Sequence, residues 1–547
     1  MIELNKILKA KIDGRKFEDD FEIIESILDE RDIDDIGSFL HPTEEDLVPF
    51  EYMKGLDDAY RLIDDAIVMG EKFAVHEDID ADGADGGTII TKYLKARGAD
   101  VVTYINQGKR HGLAEFDLSL LDDVDVLIVV DSIDNDSEVY RKILATNTKL
   151  CVLDHHLINQ ELLDAKLPFV LVSSANDYPN SELSGAGVAL KLVQYCDYMN
   201  LESYVDDLGL WMYAAIGICA DMCSMKSPEN RFIVWKGLSY YNHPLIKKMV
   251  GNYLFDSTSI AFSIAPLVNA AMRTNNNETA KQLFLTDDED KIAELVNQMK
   301  GYREFQNKVV DELMEDLMVQ AESQMDRKCM FFMLPDEIDA DVTGLLGNKI
   351  MSIVQRPLCI LRNVIETDEN GEIIKHELCG SMRACGVESF KEYIEKTGYG
   401  WVAGHENAAG IGFDISEFED FKIAIEEELK DVEFSTTVVA DIELSPSQIT
   451  ENLVKQLSAL SRISGKDFPA IKVLVRTNDY EVSTFSTKKH LKVIDESGLL
   501  IVKWNCLDYQ TMKNDKELVA VGTLSSPCYG RVKYLQLTID EYTQQND

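Results

Sequence analysis

Hydrophobic and polar positions change rhythm four times along the chain. Up to about residue 70 the apolar residues recur at helical spacing, as in FEIIESILDERDI and LDDAYRLIDDAIVMGE, with Phe39-Leu40-His41-Pro42 between them as a stop. From residue 73 short unbroken apolar runs alternate with helix-like segments: KFAVHEDID, GGTIITKYLKARG, ADVVTYI, VDVLIVVDS, SEVYRKILATN and KLCVLDHH. Strands that are apolar on both faces belong to a parallel sheet covered by helices. Helical spacing dominates 184–325 and is most sustained from about 287 to 324, where Thr286 or Asp287 is the expected N-cap of one long connecting helix. A second α/β pattern occupies 328–430. Residues 436–545 alternate as short strands (PAIKVLVRT, GLLIVKWN, KELVAVGTL, VKYLQLTI), which suggests a small β-barrel.

The 547 residues are ample for several cores. No run of about 18 apolar residues appears, so no membrane-spanning helix is expected. The first residues lack an apolar core followed by a small-residue cleavage site, so no signal peptide is expected either. The 10 cysteines form no CxxC pair, which argues against structural zinc and fits reduced thiols in a cytoplasm. Acidic residues number 97 against 54 basic, a net charge of −43, which opposes a broad nucleic-acid surface. A local basic groove, or cations bound by an acidic site, could reverse that sign where it matters.

The chemistry concentrates just past the carboxyl ends of the apolar strands, where open α/β sheets bind ligands. His76, Asp78, Asp80 and Asp82 crowd one loop, with Gly83 and Gly86-Gly87 permitting close backbone approach. Taken alone such a turn is more often a solvated loop, and Asp131 after VDVLIVV is more often a helix cap. Asp154-His155-His156 closes a third strand, and Asp221 ends the apolar run LWMYAAIGICA, where a buried carboxylate needs a partner or a metal. Carboxylates and imidazoles at four such places suit a pair of divalent cations and hydrolysis of phosphate esters.

In this order the motifs resemble the DHH phosphoesterase superfamily and, within it, the RecJ-like single-strand-specific exonucleases. Asp78-Ile79-Asp80-Ala81-Asp82-Gly83 matches the DxDADG motif, and Asp154-His155-His156 matches the motif that names the superfamily. Asp131 and Asp221 fall where the second and fourth motif aspartates belong. FLHP (39–42), LSGAGVALKL (183–192), ADMCSMKSPENR (220–231), APLVNAAMR (265–273) and LTDDE (285–289) are similar to further RecJ segments. Gly380-Ser381-Met382-Arg383 and the run Ala403 to Gly410 resemble the DHH-associated domain. The sequence departs from the family at Ser132-Ile133-Asp134 after the second-motif aspartate, at Ala403 in the Gly-Gly-His motif and at Met272 before Arg273.

The resemblance implies an α/β multidomain protein. Its parts are an N-terminal helical segment (1–70), a parallel-sheet DHH domain (71–285), a connecting helix (286–326), an α/β DHH-associated domain (327–432) and a C-terminal OB-like β-barrel (433–547). It implies 5′-to-3′ hydrolysis of single-stranded DNA to mononucleotides with two Mn²⁺ or Mg²⁺ ions. The implied metal ligands are His76, Asp78, Asp80, Asp82, Asp131, His155 and Asp221. Asp154, His155, His156 and His405 are the implied catalytic groups, and Arg273, Ser381, Arg383, Gly404 and His405 the implied substrate contacts. In the last region Lys488, Lys489, His490 and Lys492 with Trp504 and Tyr509 either extend the DNA track or form a solvated hairpin with core aromatics. Single-strand binding protein or a helicase, action on RNA as well, a monomer, and a bacterial cytoplasmic setting that includes phage-encoded proteins complete the expectation. Repair, recombination and phage DNA metabolism are the pathways it leaves open. Two rivals share the scaffold: a phosphodiesterase for cyclic dinucleotides or short oligonucleotides, and a non-catalytic replication scaffold.

Overall fold

The computed structural model describes residues 5–545, except 107–111, 176, 337, 339–341, 369–371, 486–489, 505, 507–511, 513–515 and 530–531. Its strands are β1 (Asn5–Ile12), β2 (Lys72–Glu77), β3 (Asp100–Ile105), β4 (Val126–Val130), β5 (Lys149–Asp154) and β6 (Val170–Ser173). β7 (Met330–Met333), β8 (Leu358–Thr367), β9 (Ile373–Arg383), β10 (Trp401–His405) and β11 (Ala408–Asp414) follow. The last group is β12 (Ser435–Glu443), β13 (Val473–Thr477), β14 (Tyr480–Phe485), β15 (His490–Asp495), β16 (Leu500–Lys503), β17 (Glu517–Ser525), β18 (Cys528–Tyr529), β19 (Val532–Lys533) and β20 (Gln536–Gln545).

The first α/β unit is a parallel sheet in the order β3-β2-β4-β5-β6. Its inner strands are apolar throughout because both faces are covered: Phe73 to Val75 and Val126 to Val130 are fully buried. Helices Ala81–Ala96, Gly185–Asn200 and Leu210–Ala220 pack on one side, and Ser137–Leu144 covers the other. The run LWMYAAIGICA is buried all round, as a helix without a polar face must be. The chain leaves β2 for β3 on one side, then returns across it to β4. The strand order therefore reverses between β2 and β4, and a crevice opens at their carboxyl ends.

Helix Glu289–Glu322 leads to the second unit. Its N-cap is Asp288, one residue past the expected Asp287, because the Asp288 carboxylate accepts from the backbone of Asp290 and Lys291. The second sheet runs β10-β11-β9-β8-β7, with only β7 and β8 parallel. Helices Phe390–Thr397 and Phe418–Leu429 cover one face, and Thr343–Val354 covers part of the other.

Two expectations are corrected. Residues 5–12 are not helical: β1 pairs in parallel with β12, more than four hundred residues away. NKILKAKI carries lysines among its apolar residues, as an edge strand does, and local periodicity could not reveal so distant a partner. The C-terminal strands form one eight-stranded sheet, β1-β12-β13-β17-β20-β16-β15-β14, and no pairing among the described residues joins β14 to β1, so no closed barrel is found.

Arginines fasten the N-terminal segment between the other parts. Arg31 donates from Nε and from a terminal nitrogen to the two carboxylate oxygens of Asp441 at 2.7 and 2.8 Å, with both residues buried. Arg231 donates to the carbonyls of Phe39 (2.9 Å) and Ile463 (3.0 Å) and stacks 3.7 Å over the Phe39 ring. Among the described residues no helix is long and apolar enough to cross a membrane.

Candidate metal centre and substrate cleft

The crevice collects the acidic and histidine motifs. β2 delivers His76 and the loop Asp78–Asp80. Asp80 caps helix Ala81–Ala96 by accepting from the Gly83 amide at 3.0 Å, and Asp82 follows in its first turn. β4 delivers Asp131 in the left-handed region at φ 57°, β5 delivers Asp154, and Asp221 is the C-cap of helix Leu210–Ala220. His155 Nε2 lies 3.1 Å from Asp131, 3.8 Å from Asp221 and 3.9 Å from Asp82. Three overlapping donor sets have all ligand atoms within 4.8 Å of one another: Asp131-His155-His156, Asp82-His155-Asp221 and Asp78-Asp80-Asp131. Asp131 and His155 each belong to two of them.

The packing that permits this comes from glycines on neighbouring helices. A Cβ at Gly185 would lie 2.6 Å from Asp131 Cβ, and one at Gly217 would lie 2.2 Å from Asp82 Oδ1. Asp82 is also held by the amides of Gly185 (2.7 Å) and Ala186 (3.0 Å) at the start of helix Gly185–Asn200, where the helix dipole favours an anion. LSGAG thus places positive backbone dipoles on a carboxylate of the centre; its N-cap Ser184 was the available signal.

The charges fit cations. Burial, then the Asp221 and Asp80 charges, pushes Asp82 up to about 8. Burial and the charges of Asp82 and Asp80 push Asp131 well above the ordinary carboxylate range, and Asp80 rises mainly through burial. Burial lowers the imidazole of His155, so it is neutral and able to ligate. Carboxylates this close and this buried require positive charge, and oxygen donors with imidazole suit Mn²⁺ or Mg²⁺.

Asp154 plays a different part. Its Oδ1 accepts from the amides of His155 and His156, each at 2.7 Å, and sits 2.9 Å from His156 Nδ1; Oδ2 accepts from the Ile133 amide at 2.7 Å. Burial would raise it, but the hydrogen bonds and charge of His156 hold it below its ordinary value; the same contact raises His156 to about 9. The unusual Ser132-Ile133 segment is therefore built in: Ile133 supplies that amide, and buried Ser132 accepts from the Gly112 amide at 3.1 Å. His76 is fully buried, with Nε2 3.2 Å from the Asn106 side-chain oxygen, and stands outside the three donor sets.

A second feature lies where the two α/β units meet. A cavity of about 440 Å³ is lined by Arg273 from the first unit and by Arg362, Ser381, Arg383 and Trp401, among others, from the second. Among the described residues, none that lines it is acidic. Arg383 donates to Asn348 at 2.7 Å, and the Ser381 hydroxyl is 2.9 Å from that of Thr343. Three expected substrate contacts, Arg273, Ser381 and Arg383, thus share one cavity. Gly404 and His405 do not line it; exposed His405 stands at the end of β10, paired with Ala408, which pairs in turn with Arg383. Arg362, Asn348 and Trp401 were not singled out from sequence; the register of β8, β9, β11 and β10 is what sets Arg362 and Trp401 on one face. In the C-terminal sheet Lys492 lies on β15, and the rings of His490 and Trp504 meet nearly at right angles 5.0 Å apart. Lys488, Lys489 and Tyr509 lie outside the described residues.

Residues 72–216 match the DHH family, N-terminal domain. A Bacillus subtilis (strain 168) protein, provisionally named SPbeta prophage-derived single-strand DNA-specific exonuclease YorK, is 26% identical over 557 residues, covering 94% of this chain and 93% of its own. The single-stranded-DNA-specific exonuclease RecJ of Thermus thermophilus is 28% identical over 386 residues, 68% of this chain and 54% of that one. The crystal structure of RecJ from Thermus thermophilus in complex with Mn²⁺ covers 99% of this chain and 80% of its own with a TM-score of 0.76 at 22% identity. The match at residues 72–216 thus lies within a chain that is similar in sequence to proteins named as single-strand-specific exonucleases and similar in fold to RecJ.

Proposed function

We propose that this chain is a metal-dependent exonuclease that hydrolyses single-stranded DNA from its 5′ end to mononucleotides. The observation that carries the reading is a pairing: a carboxylate–imidazole centre at the first sheet's switch point, and a cavity in which Arg273 of that unit meets Arg362 and Arg383 of the second. The relatives' names specify the substrate, and their similarity runs along most of the chain. Asp82, His155 and Asp221 would hold one cation, and Asp78, Asp80 and Asp131 the other. When bound, two Mn²⁺ or Mg²⁺ ions supply Lewis acidity and a water acidic enough to attack phosphorus near neutral pH.

The chain's own groups do the rest. Asp154 fixes the His156 ring through Nδ1 and so leaves Nε2 for the scissile phosphate, where a protonated ring stabilises developing charge. Arg273 and Arg383 grip phosphate oxygens with paired N–H groups, and Ser381 adds a hydroxyl. His405, at the end of β10 on the same sheet face as Trp401, reaches the DNA strand beyond that cavity, with Gly404 beside it giving the backbone close approach. The arginine cavity supplies local positive charge in a chain whose net charge is −43. The C-terminal sheet acts as an OB-like extension of the track, with Lys492, His490 and Trp504 as contacts. Single-strand binding protein or a helicase is the expected protein partner of a cytoplasmic monomer.

The test is digestion of single-stranded DNA labelled at either end, with Mn²⁺ or EDTA, for wild type and His155→Ala. Mononucleotides released from the 5′ end, lost in EDTA and in the variant, support the reading. Cleavage of a dinucleotide with no attack on a long strand overturns it in favour of a short-oligonucleotide phosphodiesterase.

A further inference from the structure

One face of the second sheet is a floor with distinct ends. The register sets Arg362, Cys379, Gly412 and Trp401 in one transverse row. Ile360, Ser381, Gly410 and Ala403 form the next row, and Leu358, Arg383, Ala408 and His405 the third. Directly opposed residues share a face, as do alternate residues along a strand, so all three rows look the same way. Helix Thr343–Val354 covers β8 and β9 on this side, where Leu346 and Ile350 join one buried cluster with Leu358 and Ile360. Over β10 and β11 the side chains between the ends are small: Ala403, Ala408, Gly410 and Gly412. His405 closes one end and Trp401 the other, four residues apart on β10, or roughly 13 Å at strand spacing.

Trp401 lies flat on its neighbouring strand. A Cβ at Gly412 would meet the indole Nε1, Cε2 and Cζ2 at 2.6 to 2.8 Å, and one at Gly410 would meet Cζ3 at 3.5 Å. One ring face is therefore occupied in covering two glycines, a role aromatic residues often have in sheets. The cover does not account for the rest of the ring. Trp401 is 48% exposed and lines the same cavity as Arg273, Arg362 and Arg383. A large aromatic surface held flat and left open beside guanidinium groups has the form of a stacking platform in a single-strand channel.

We propose that Trp401 stacks on a nucleobase of the strand whose phosphates reach Arg273, Ser381 and Arg383; this rests on the nuclease reading above. Every base has a π-face, so the contact adds affinity without sequence preference. It also requires an unstacked base, so it contributes to the preference for single strands over duplex.

The test is fluorescence anisotropy of 5′-phosphorylated oligothymidine labelled at its 3′ end, with Ca²⁺ in place of Mn²⁺ to hold turnover back. Intact strands are compared with strands carrying one abasic residue at successive positions from the 5′ end. For wild type, one position is expected at which the missing base weakens binding about tenfold, the scale of a single stacked base. Trp401→Ala should weaken binding of the intact strand by a similar factor and erase the effect of the abasic residue there. Trp401→Phe, which keeps a ring over the glycines, should retain most of that effect. A purely structural tryptophan would lower affinity for every strand alike and leave the abasic effect in place; that result overturns the proposal, as does a wild type indifferent to abasic sites everywhere. A wild type that binds no single strand at all refutes the nuclease reading and Trp401's role with it.

Discussion

Asp154→Asn separates a residue that positions from residues that ligate. Asp154 is fully buried and accepts four hydrogen bonds, three on Oδ1 and one on Oδ2. Asparagine has one acceptor oxygen. If that oxygen keeps the three donors, the amide nitrogen faces the Ile133 N–H, donor against donor across 2.7 Å. One charge-assisted bond is lost and one buried N–H is stranded, together about 3 kcal/mol. In a unit of this size that lowers Tm by roughly 6–12 °C. The loss does not involve a cation, so it should be as large in EDTA as with saturating Mn²⁺, and the rise in Tm on adding Mn²⁺ should persist. Asp131→Asn should do the opposite. Burial and neighbouring carboxylates already press Asp131 towards its neutral form, and asparagine tolerates its φ of 57°. Its metal-free Tm should hold or rise, while the Mn²⁺ increment disappears. Differential scanning calorimetry of both variants in the two conditions decides the matter. If Asp154→Asn melts like wild type in EDTA and loses only the Mn²⁺ increment, Asp154 is a ligand and the positioning argument is wrong.

Other substitutions probe the same frame. Gly217→Ala puts a methyl 2.2 Å from Asp82 Oδ1 and 2.6 Å from Ala186 Cβ; overpacking of about 1–3 kcal/mol and a fall of about tenfold or more in Mn²⁺ affinity are expected, and unchanged affinity by calorimetric titration would refute the close-approach argument. Glu77 is buried, Oε1 finds no hydrogen-bond partner, and burial lifts the carboxyl to about 8. Its folded value exceeds the unfolded one, so its contribution to stability is full below about 4.5 and is lost as pH rises through about 8. The Tm in EDTA should therefore fall across that window, and Glu77→Gln should flatten the fall; a variant with the wild-type slope would exclude this cause. Asp441→Ala strands buried Arg31, at a cost of about 3–5 kcal/mol, and should expose the N-terminal segment to limited proteolysis at lower urea than in wild type.

The α/β core was legible because its signal is local. Short unbroken apolar runs such as Val126 to Val130 are strands buried on both faces, and Asp131 and Asp154 mark the ends of two of them, while Asp221 ends the longer apolar run that folds as helix Leu210–Ala220. What was missed depends on partners far away in sequence. β1 reads as an amphipathic segment until β12 is placed beside it. The C-terminal strands alternate as barrel strands do, but whether a sheet closes is decided by its two end strands, and β1 and β14 are not paired among the described residues. The site shows the same division. The donors stand in recognisable motifs, whereas the cradle of Asp82 needs the start of helix Gly185–Asn200 to arrive a hundred residues later. Arg362 and Trp401 enter only through sheet register, which sets them in one row across four strands.

That register also bears on how so acidic a chain can hold a polyanion. The net charge of −43 is an average over the whole surface, while binding depends on the few ångströms around each phosphate, since exposed charges farther off than about 8 Å are screened at physiological salt. Within that range the chain is sorted. Carboxylates gather at the switch point, and guanidinium groups gather in the cavity lined by Arg273, Arg362 and Arg383. An occupied metal centre would offset most of the first cluster's negative charge and present cations to the strand, so the strand would meet cations in one place, guanidinium groups in the other and repulsion elsewhere. Affinity should then depend more steeply on Mn²⁺ occupancy than on monovalent salt: few phosphates are neutralised by side chains, so the salt slope is shallow, as expected for a handful of contacts. A steep slope, on the order of ten as for an extended basic surface, would mean that the strand is held somewhere other than this cleft.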